Sequence, residues 1–275
     1  MKIFVILSLI CLNLQVNGQK QEFDKGLKFF QKGKYKQALK WLDDSIGKDP
    51  THALVRHIRG GCHFELQDYE SAIKDFKAAS LLEPQNPMHT YNVGLCHQLN
   101  GDNSMACSNY THFLNLVDSD GEIDLNMAER IGTAFYFCGD MNLAENYLKL
   151  ALRMGSEDSS IPNNLAWTYT QTGKYKEAIK LFKDAYDLDP TAYQNVNNLG
   201  YAYYLDDQLA KAEEYILEAK NLNADNSFVY RNLGLIRMKQ QKKEEACAFL
   251  QKALDLDILV EWGEFYVQEL LQYCN

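Results

Sequence analysis

The acidic segment 118–124 has the residue types of a calcium site. Its sequence, D-S-D-G-E-I-D, resembles the middle of a calcium-binding loop. A complete loop also needs an acidic residue at its first position and a bidentate glutamate at its twelfth. This chain has Leu116 and Met127 at those positions. We therefore interpret the segment as a solvated acidic turn, with calcium binding as the alternative.

Two Cys-His pairs, Cys62-His63 and Cys96-His97, carry side chains that can bind transition metals. The two pairs lie 34 residues apart, which is the period of the repeat described below. No C-x-x-C or H-E-x-x-H motif accompanies them. We expect packed side chains here, and neither a metal nor another cofactor.

The chain has seven cysteines, six of which follow residue 18. An even number in an exported protein favours disulfides. Cysteines at equivalent positions of stacked repeats would be too far apart, because a bridge needs Cα atoms within about 7 Å. Cys96 and Cys107 fall opposite each other across one predicted helix pair. They form the best candidate bridge, with buried free thiols as the alternative.

Catalytic motifs are not apparent in this sequence. The G-x-S-x-G, P-loop and G-x-G-x-x-G motifs work at strand-to-helix turns, and no strand is predicted. Serine, histidine and aspartate residues are scattered without the spacing of a triad. We expect a protein that is not an enzyme.

The elements that must position any site repeat every 34 residues. The chain aligns with itself in seven frames, interrupted only at 121–124. The frames are 19–52, 53–86, 87–120, 125–158, 159–192, 193–226 and 227–260. Each contains two apolar helical stretches joined by a polar turn, and a proline follows several of the second stretches, at Pro50, Pro84 and Pro190.

Three columns of this repeat predict how the helices pack. The eighth position is small in every frame: Gly26, Gly60, Gly94, Gly132, Ala166, Gly200 and Gly234. The twentieth is always alanine: Ala38, Ala72, Ala106, Ala144, Ala178, Ala212 and Ala246. The twenty-fourth is large and apolar: Leu42, Phe76, Tyr110, Leu148, Phe182, Ile216 and Leu250. Small residues let two antiparallel helices approach closely, and the bulky residue fills the space beside that contact.

This pattern resembles the tetratricopeptide repeat family, whose motif is W-x2-L-G-x2-Y, then A-x3-F, then P. The fifth frame carries the motif in Leu165, Ala166, Tyr169, Gly173, Tyr175, Ala178, Phe182, Ala185 and Pro190. The resemblance implies an all-α, right-handed solenoid of seven helix pairs over 19–260. The segment 261–275 has apolar residues at helical spacing, and we expect it to be a C-terminal capping helix. The resemblance also implies a non-enzymatic scaffold for protein–protein interaction.

In the resembled family, positions two, five, nine and twelve of the first helices line a concave groove. The corresponding candidates for peptide binding here are Phe30, Phe64, Tyr91, Tyr136, Asn163, Trp167, Asn197, Tyr201, Tyr204, Phe228 and Arg231. Aromatic and arginine side chains are typical binding anchors, and asparagine can donate to and accept from a peptide backbone. The alternative is that many of these aromatic residues pack in the core between repeats.

Some relatives bind a C-terminal carboxylate through Lys, Asn and Arg side chains in this groove. Position five of this chain reads Phe23, His57, Tyr91, Glu129, Asn163, Asn197 and Arg231. These residues do not assemble a basic clamp, so we do not expect binding of that kind.

The first eighteen residues predict a signal peptide. Lys2 precedes the apolar run 3–12, which is too short to span a bilayer, and cleavage is expected before Gln19. We therefore expect an exported protein, periplasmic or secreted, without membrane insertion after cleavage. Its net charge of −9 is poorly suited to nucleic acid. The expected partner is a protein or peptide in an envelope or secreted complex; the alternative is a glycan- or solute-binding envelope protein that uses the aromatic groove.

Overall fold

The computed structural model describes residues 19–117, 123–256 and 272–274. The predicted signal peptide, most of the acidic segment 118–124 and nearly all of the predicted capping helix therefore lie outside the described residues. The described residues form fourteen α-helices and one short 3-10 helix, and no strand occurs among them. They divide into two compact units, one ending at Ile123 and the other beginning at Asp124.

Each unit is a series of antiparallel helix pairs, and each predicted frame contains one pair. The first unit contains α1 Gln19–Gln31, α2 Tyr35–Lys48, α3 Ala53–Glu65, α4 Tyr69–Leu82, α5 Pro87–Leu99 and α6 Asn103–Leu116. The second contains α7 Leu125–Cys138, α8 Met141–Arg153, α9 Ser160–Gln171, α10 Tyr175–Leu188, α11 Tyr193–Leu205, α12 Leu209–Leu222, α13 Ser227–Lys239, α14 Lys243–Asp255 and the 3-10 helix Gln272–Cys274. The fold is the all-α solenoid type that the repeat predicts.

Helix boundaries follow from capping residues and prolines. Asp68, Asp102 and Asp140 begin second helices, and each carboxylate accepts a hydrogen bond from a backbone N–H three residues later. At the other end, α2 and α10 stop two residues before Pro50 and Pro190. Local sequence thus sets these helix boundaries.

The packing between paired helices agrees with the three columns. A Cβ atom on Gly132 would lie 2.9 Å from the backbone nitrogen of Leu148, and one on Gly200 would lie 2.7 Å from Cδ1 of Ile216. These distances are too short for a methyl group, so the glycines permit the close helix contact. The bulky residues that face them are fully buried: Leu42, Phe76, Tyr110, Leu148, Ile216 and Leu250.

The turn inside each helix pair requires one residue in the left-handed region. At the fifteenth position of its repeat, the chain has Gly33, Gly101, Gly139 and Gly173, all with positive φ. Three other repeats place a side chain there, in Gln67 with φ 62°, Asp207 with φ 61° and Gln241 with φ 60°. Glycine adopts this conformation freely, whereas other residues do so at a cost.

The cysteines differ from the candidate pairing. Cys96 is a free, buried thiol, whereas Cys107 is disulfide-bonded, so the candidate Cys96–Cys107 bridge is wrong. Cys62 is also free and buried, as a packing position requires. A disulfide joins Cys247 of α14 to Cys274, with a Cα–Cα distance of 5.8 Å. It connects α14 to the 3-10 helix near the end of the chain.

No helix in the described part of the chain has the length and apolar character needed to cross a membrane.

Candidate functional site

The second unit contains a cavity of about 280 Å³ between the first helices of three consecutive repeats. Its walls come from α9, α11 and α13, together with the residue that precedes α13. The lining residues are Trp167, Tyr193, Gln194, Asn197, Asn198, Tyr201, Asn226, Phe228, Arg231 and Asn232. The repeat explains why they converge, because equivalent positions of stacked first helices share one face.

Aromatic rings form one side of this cavity. The centroid of Trp167 lies 5.8 Å from that of Tyr201, and Tyr201 stacks on Tyr204 at 5.9 Å. The edge contact between Trp167 and Phe182 at 5.6 Å fixes the indole against the second helix of its own repeat. The aromatic side is therefore held in place by packing before any ligand arrives.

Arg231 contributes a cation to the same cavity. Its guanidinium carbon lies 5.1 Å from the ring centroid of Tyr201 and 5.4 Å from that of Phe228. Nε and Nη2 donate to Oδ1 of Asn232 at 3.2 and 2.9 Å. Two aromatic rings and one amide oxygen thus fix the plane of the guanidinium.

Asparagine pairs connect neighbouring repeats along the cavity. Nδ2 of Asn198 donates to Oδ1 of Asn163 at 2.8 Å, and Nδ2 of Asn232 donates to Oδ1 of Asn197 at 3.0 Å. Both pairs join residues 35 apart, from position five of one repeat to position six of the next. Asn197 and Asn232 are only 8% and 1% exposed, so their hydrogen bonds matter for stability.

The structure brings together part of the predicted set. Five of the predicted residues line the cavity: Trp167, Asn197, Tyr201, Phe228 and Arg231. Asn163 and Tyr204 contact lining residues through the asparagine pair and the tyrosine stack described above. Tyr136 belongs to the same unit but does not line the cavity; its ring lies 5.1 Å from Phe137, and burial raises its pKa.

The remaining three predicted residues belong to the first unit. Phe64 and Tyr91 are each 5% exposed. Phe64 packs against Tyr69, and Tyr91 packs against Phe113 at 5.3 Å. Phe30 is half-buried and contacts Tyr35. For Phe64 and Tyr91 the structure agrees with the alternative interpretation, in which these rings are part of the core.

Sequence reasoning missed half of the cavity lining. Asn198 and Asn232 occupy position six, which is outside the stripe of positions two, five, nine and twelve. Gln194 lies on that stripe, but its side chain is neither aromatic nor charged. One signal was present: Asn163-Asn164, Asn197-Asn198 and Arg231-Asn232 occur at the same two positions of successive repeats.

The histidines of the two Cys-His pairs contact helix-capping residues. His63 lies 3.2 Å from Asp68 and His97 lies 3.6 Å from Asp102, so each histidine contacts the residue that caps the next helix. Within the described ranges, no group of three or more His, Cys, Asp or Glu side chains is placed to hold a metal ion. The calcium alternative for 118–124 concerns residues that mostly lie outside those ranges.

Profiles described as tetratricopeptide repeat match the chain at residues 163–192, 23–87 and 229–257. Human Protein O-mannosyl-transferase TMTC3 is 23% identical over 213 residues, covering 64% of this chain and 23% of that protein. The DnaJ homolog subfamily C member 7 homolog of Schizosaccharomyces pombe is 20% identical over 262 residues, covering 84% of this chain and 55% of that protein. The chain therefore spans roughly a quarter to a half of the length of these relatives.

Solved structures show the same architecture. One is YrrB, described as a TPR protein with an unusual peptide-binding site; its TM-score is 0.61 at 18% identity, covering 68% of this chain and 95% of that one. Another is the APC/C hetero-tetramer Cut9-Hcn1, with a TM-score of 0.57 at 18% identity, covering 90% of this chain and 48% of that one. Identities this low show a shared fold only.

The helix pairs, the small residues at their contacts and the matched profiles lead to one assignment. The cavity offers aromatic faces, amide groups and a cation, which are groups suited to binding. The chain belongs to the tetratricopeptide repeat family, and its fold is that of a protein-interaction scaffold.

Proposed function

We propose that the second unit binds an extended segment of a partner protein in the cavity between α9, α11 and α13. The observation that carries this proposal is the convergence of Trp167, Tyr201 and Arg231 with two asparagine pairs around one cavity. Aromatic and arginine side chains dominate binding energy at protein interfaces. Asparagine amides can pair with the backbone of an extended peptide, which has regularly spaced donors and acceptors.

The volume of the cavity supports a segment rather than a whole domain surface. Its volume of about 280 Å³ lies just below the range of ligand pockets, which measure roughly 300–1,000 Å³. A site of this size holds a few side chains of a longer segment. YrrB, which shares this fold, has a peptide-binding site, and that makes the same class of ligand reasonable here.

A glycan would use the faces of the same aromatic rings. The contacts of Tyr201 argue for the peptide instead, because Arg231 lies against its ring and Tyr204 stacks on it. A sugar would have to replace one of these contacts. A glycan array is therefore the appropriate comparison for the peptide experiment.

Export is part of the proposal. The Cys247–Cys274 disulfide supports it, because disulfides persist in oxidising compartments and are rare in the cytosol. The partner we propose is accordingly a protein of an envelope or secreted complex.

The test is selection of random peptides with the chain from Gln19 onward, followed by affinity measurements on selected peptides. Trp167→Ala and Tyr201→Ala should each weaken binding about tenfold or more, because hot-spot anchors contribute about 2 kcal/mol or more and about 1.4 kcal/mol corresponds to tenfold. Trp41→Ala is the matched control, since Trp41 lies on α2 of the first unit. Helicity of every variant is followed by circular dichroism.

Equal peptide affinity in wild type, Trp167→Ala and Tyr201→Ala would contradict the proposal. Retention of glycans on the array, lost in the same two variants, with no peptide selected, would support the glycan-binding alternative.

A further inference from the structure

We infer that Arg231 selects an acidic side chain, aspartate or glutamate, within the bound segment, and that Asn232 and Asn197 position it for this role. The inference rests on the proposed function and specifies the chemistry of the partner. It starts from the distribution of charge in the cavity. Among the described residues that line it, Arg231 carries the only formal charge, and the others are aromatic rings and neutral amides.

A guanidinium is suited to this kind of selection. It presents a planar set of N–H donors that matches the two oxygens of a carboxylate, and such charge-assisted pairs are among the stronger hydrogen bonds in proteins. A cavity wall excludes part of the water, which strengthens the attraction between opposite charges. An acidic side chain therefore complements this site better than a neutral or basic one.

The surroundings of Arg231 hold its plane in one orientation. Oδ1 of Asn232 accepts from Nε and Nη2, while Nδ2 of Asn232 donates to Oδ1 of Asn197. The Tyr201 and Phe228 rings lie against the guanidinium. Because Asn232 is 1% exposed, it has little freedom to turn. The Arg231 side chain is thus already ordered in the free protein, so it has little conformational entropy left to lose on binding.

One cation suits a side-chain carboxylate better than a chain terminus. Position five in the two preceding repeats holds Asn163 and Asn197, which are neutral. The described residues that line the cavity include no lysine, so they do not provide the Lys, Asn and Arg set with which some relatives bind a C-terminal carboxylate. The acidic residue that we infer lies inside the bound segment.

The probe is a library of random peptides with amidated C-termini, so that every carboxylate belongs to a side chain. Wild type should enrich Asp or Glu over Asn or Gln at one position by about tenfold. Arg231→Gln should lose this preference, and Arg231→Glu should reverse it towards Lys or Arg. Lys211→Gln is the matched control, because Lys211 lies over the Tyr203 ring outside the cavity lining and its loss should leave the preference intact.

Asn232→Asp tests the contact through which Asn232 acts on Arg231, because it turns the accepting amide into a carboxylate with almost no change in shape. The new carboxylate would pair with Arg231 and neutralise it, so the preference for acidic peptides should disappear while the guanidinium stays in place. Circular dichroism checks that each variant keeps its helices. The readout is the ratio of acidic to amide peptides, which a purely structural role of Asn232 would not change.

The outcomes separate the two proposals. If wild type selects peptides without an acidic preference, or if the preference persists in Arg231→Gln or Asn232→Asp, the inference is wrong and the proposed function stands. Binding that requires a free C-terminal carboxylate would also overturn the inference. If wild type selects no peptide either from this library or from one with free C-termini, the proposed function fails and the inference fails with it.

Discussion

His57 and His89 form a buried pair in the first unit, with their Nδ1 atoms 2.8 Å apart. Nε2 of His89 lies 3.2 Å from a Glu83 carboxylate oxygen, and the His57 ring contacts Phe76. One Nδ1 must donate and the other must accept, so the pair cannot hold a proton on both Nδ1 atoms. Burial, together with the neighbouring His89, lowers the pKa of His57 to about 3; burial also lowers the pKa of His89, against the opposing effect of Glu83.

This pair predicts that acid destabilises the protein. Both pKa values are lower in the folded than in the unfolded chain, so the unfolded chain binds more protons as the pH falls below about 6.5. The free energy of unfolding should therefore decrease with falling pH, by about 2 kcal/mol at about pH 5 from His57 alone. Urea unfolding of wild type and His57→Gln at several pH values measures the effect, and the variant should show a weaker pH dependence.

His112→Gln is the control for this experiment, because His112 is exposed on α6. Its pH dependence should equal that of wild type. A variant His57→Gln with the wild-type slope would contradict the role assigned to the buried pair.

At the scale of single residues, the sequence predicts which types of side chain form the site better than it predicts the contacts that those side chains make. Trp167 and Tyr201 were predictable because an aromatic residue at position nine lies on the groove stripe of the resembled family. The recurrence of asparagine at position six marks Asn232, but the sequence does not show its contact with Asn197 across a repeat boundary. Phe64 and Tyr91 carry the same residue types as a binding anchor, and only the packing shows that they are buried.

At the scale of helices, close contact at the eighth position predicts a sharp difference between two glycines. Gly132→Ala should lower the free energy of unfolding by roughly 1–3 kcal/mol, because the added Cβ would lie 2.9 Å from the Leu148 backbone nitrogen. Gly47→Ala in α2 should raise it by roughly 0.5–1 kcal/mol, because a Cβ there meets no atom within 4 Å and alanine favours the helix. Denaturant unfolding checks both.

Gly47→Ala serves as the matched control for the same chemical change. Equal effects of the two substitutions, in either direction, would show that the eighth position does not set the helix contact.

The helix pairs could be predicted from sequence because three columns repeat with one period, and their contacts follow from size alone. Gly26, for example, faces Leu42 as the columns require, because a Cβ added to Gly26 would lie only 2.8 Å from Leu42 Cγ. Disulfide pairing could not be predicted in this way. Cys96 and Cys107 lie in paired helices, but the direction of each side chain decides whether a bond forms. Spacing in the sequence does not define that direction.

At the scale of the whole molecule, the cysteines predict a labelling pattern. Burial raises the pKa of the Cys62 and Cys96 thiols to about 12. Both should therefore resist alkylation in the native protein at neutral pH and react after unfolding, since the thiolate is the reactive form. Cys247 and Cys274 should react only when the protein has been reduced in addition to being unfolded. Peptide mapping by mass spectrometry identifies each labelled cysteine.

Protein that has been reduced and unfolded before alkylation is the control, and all four of these cysteines should then be labelled. Alkylation of Cys247 and Cys274 in unfolded, unreduced protein would contradict the disulfide. A linked peptide containing Cys96 would contradict its assignment as a free thiol.

The left-handed residues inside the helix pairs have a consequence for how the stability of this protein can be raised. Gln67 and Gln241 hold a conformation that costs an L-residue roughly 1–2 kcal/mol, whereas glycine at the equivalent Gly33 or Gly173 adopts it without that cost. Glycine at these positions would also raise the conformational entropy of the unfolded chain, which lowers the free energy of unfolding by roughly 0.5–1 kcal/mol. The first effect is larger than the second, so substitution of Gln67 or Gln241 by glycine should raise the free energy of unfolding. An engineer could strengthen two separate repeats at these turns and leave every cavity residue as it is.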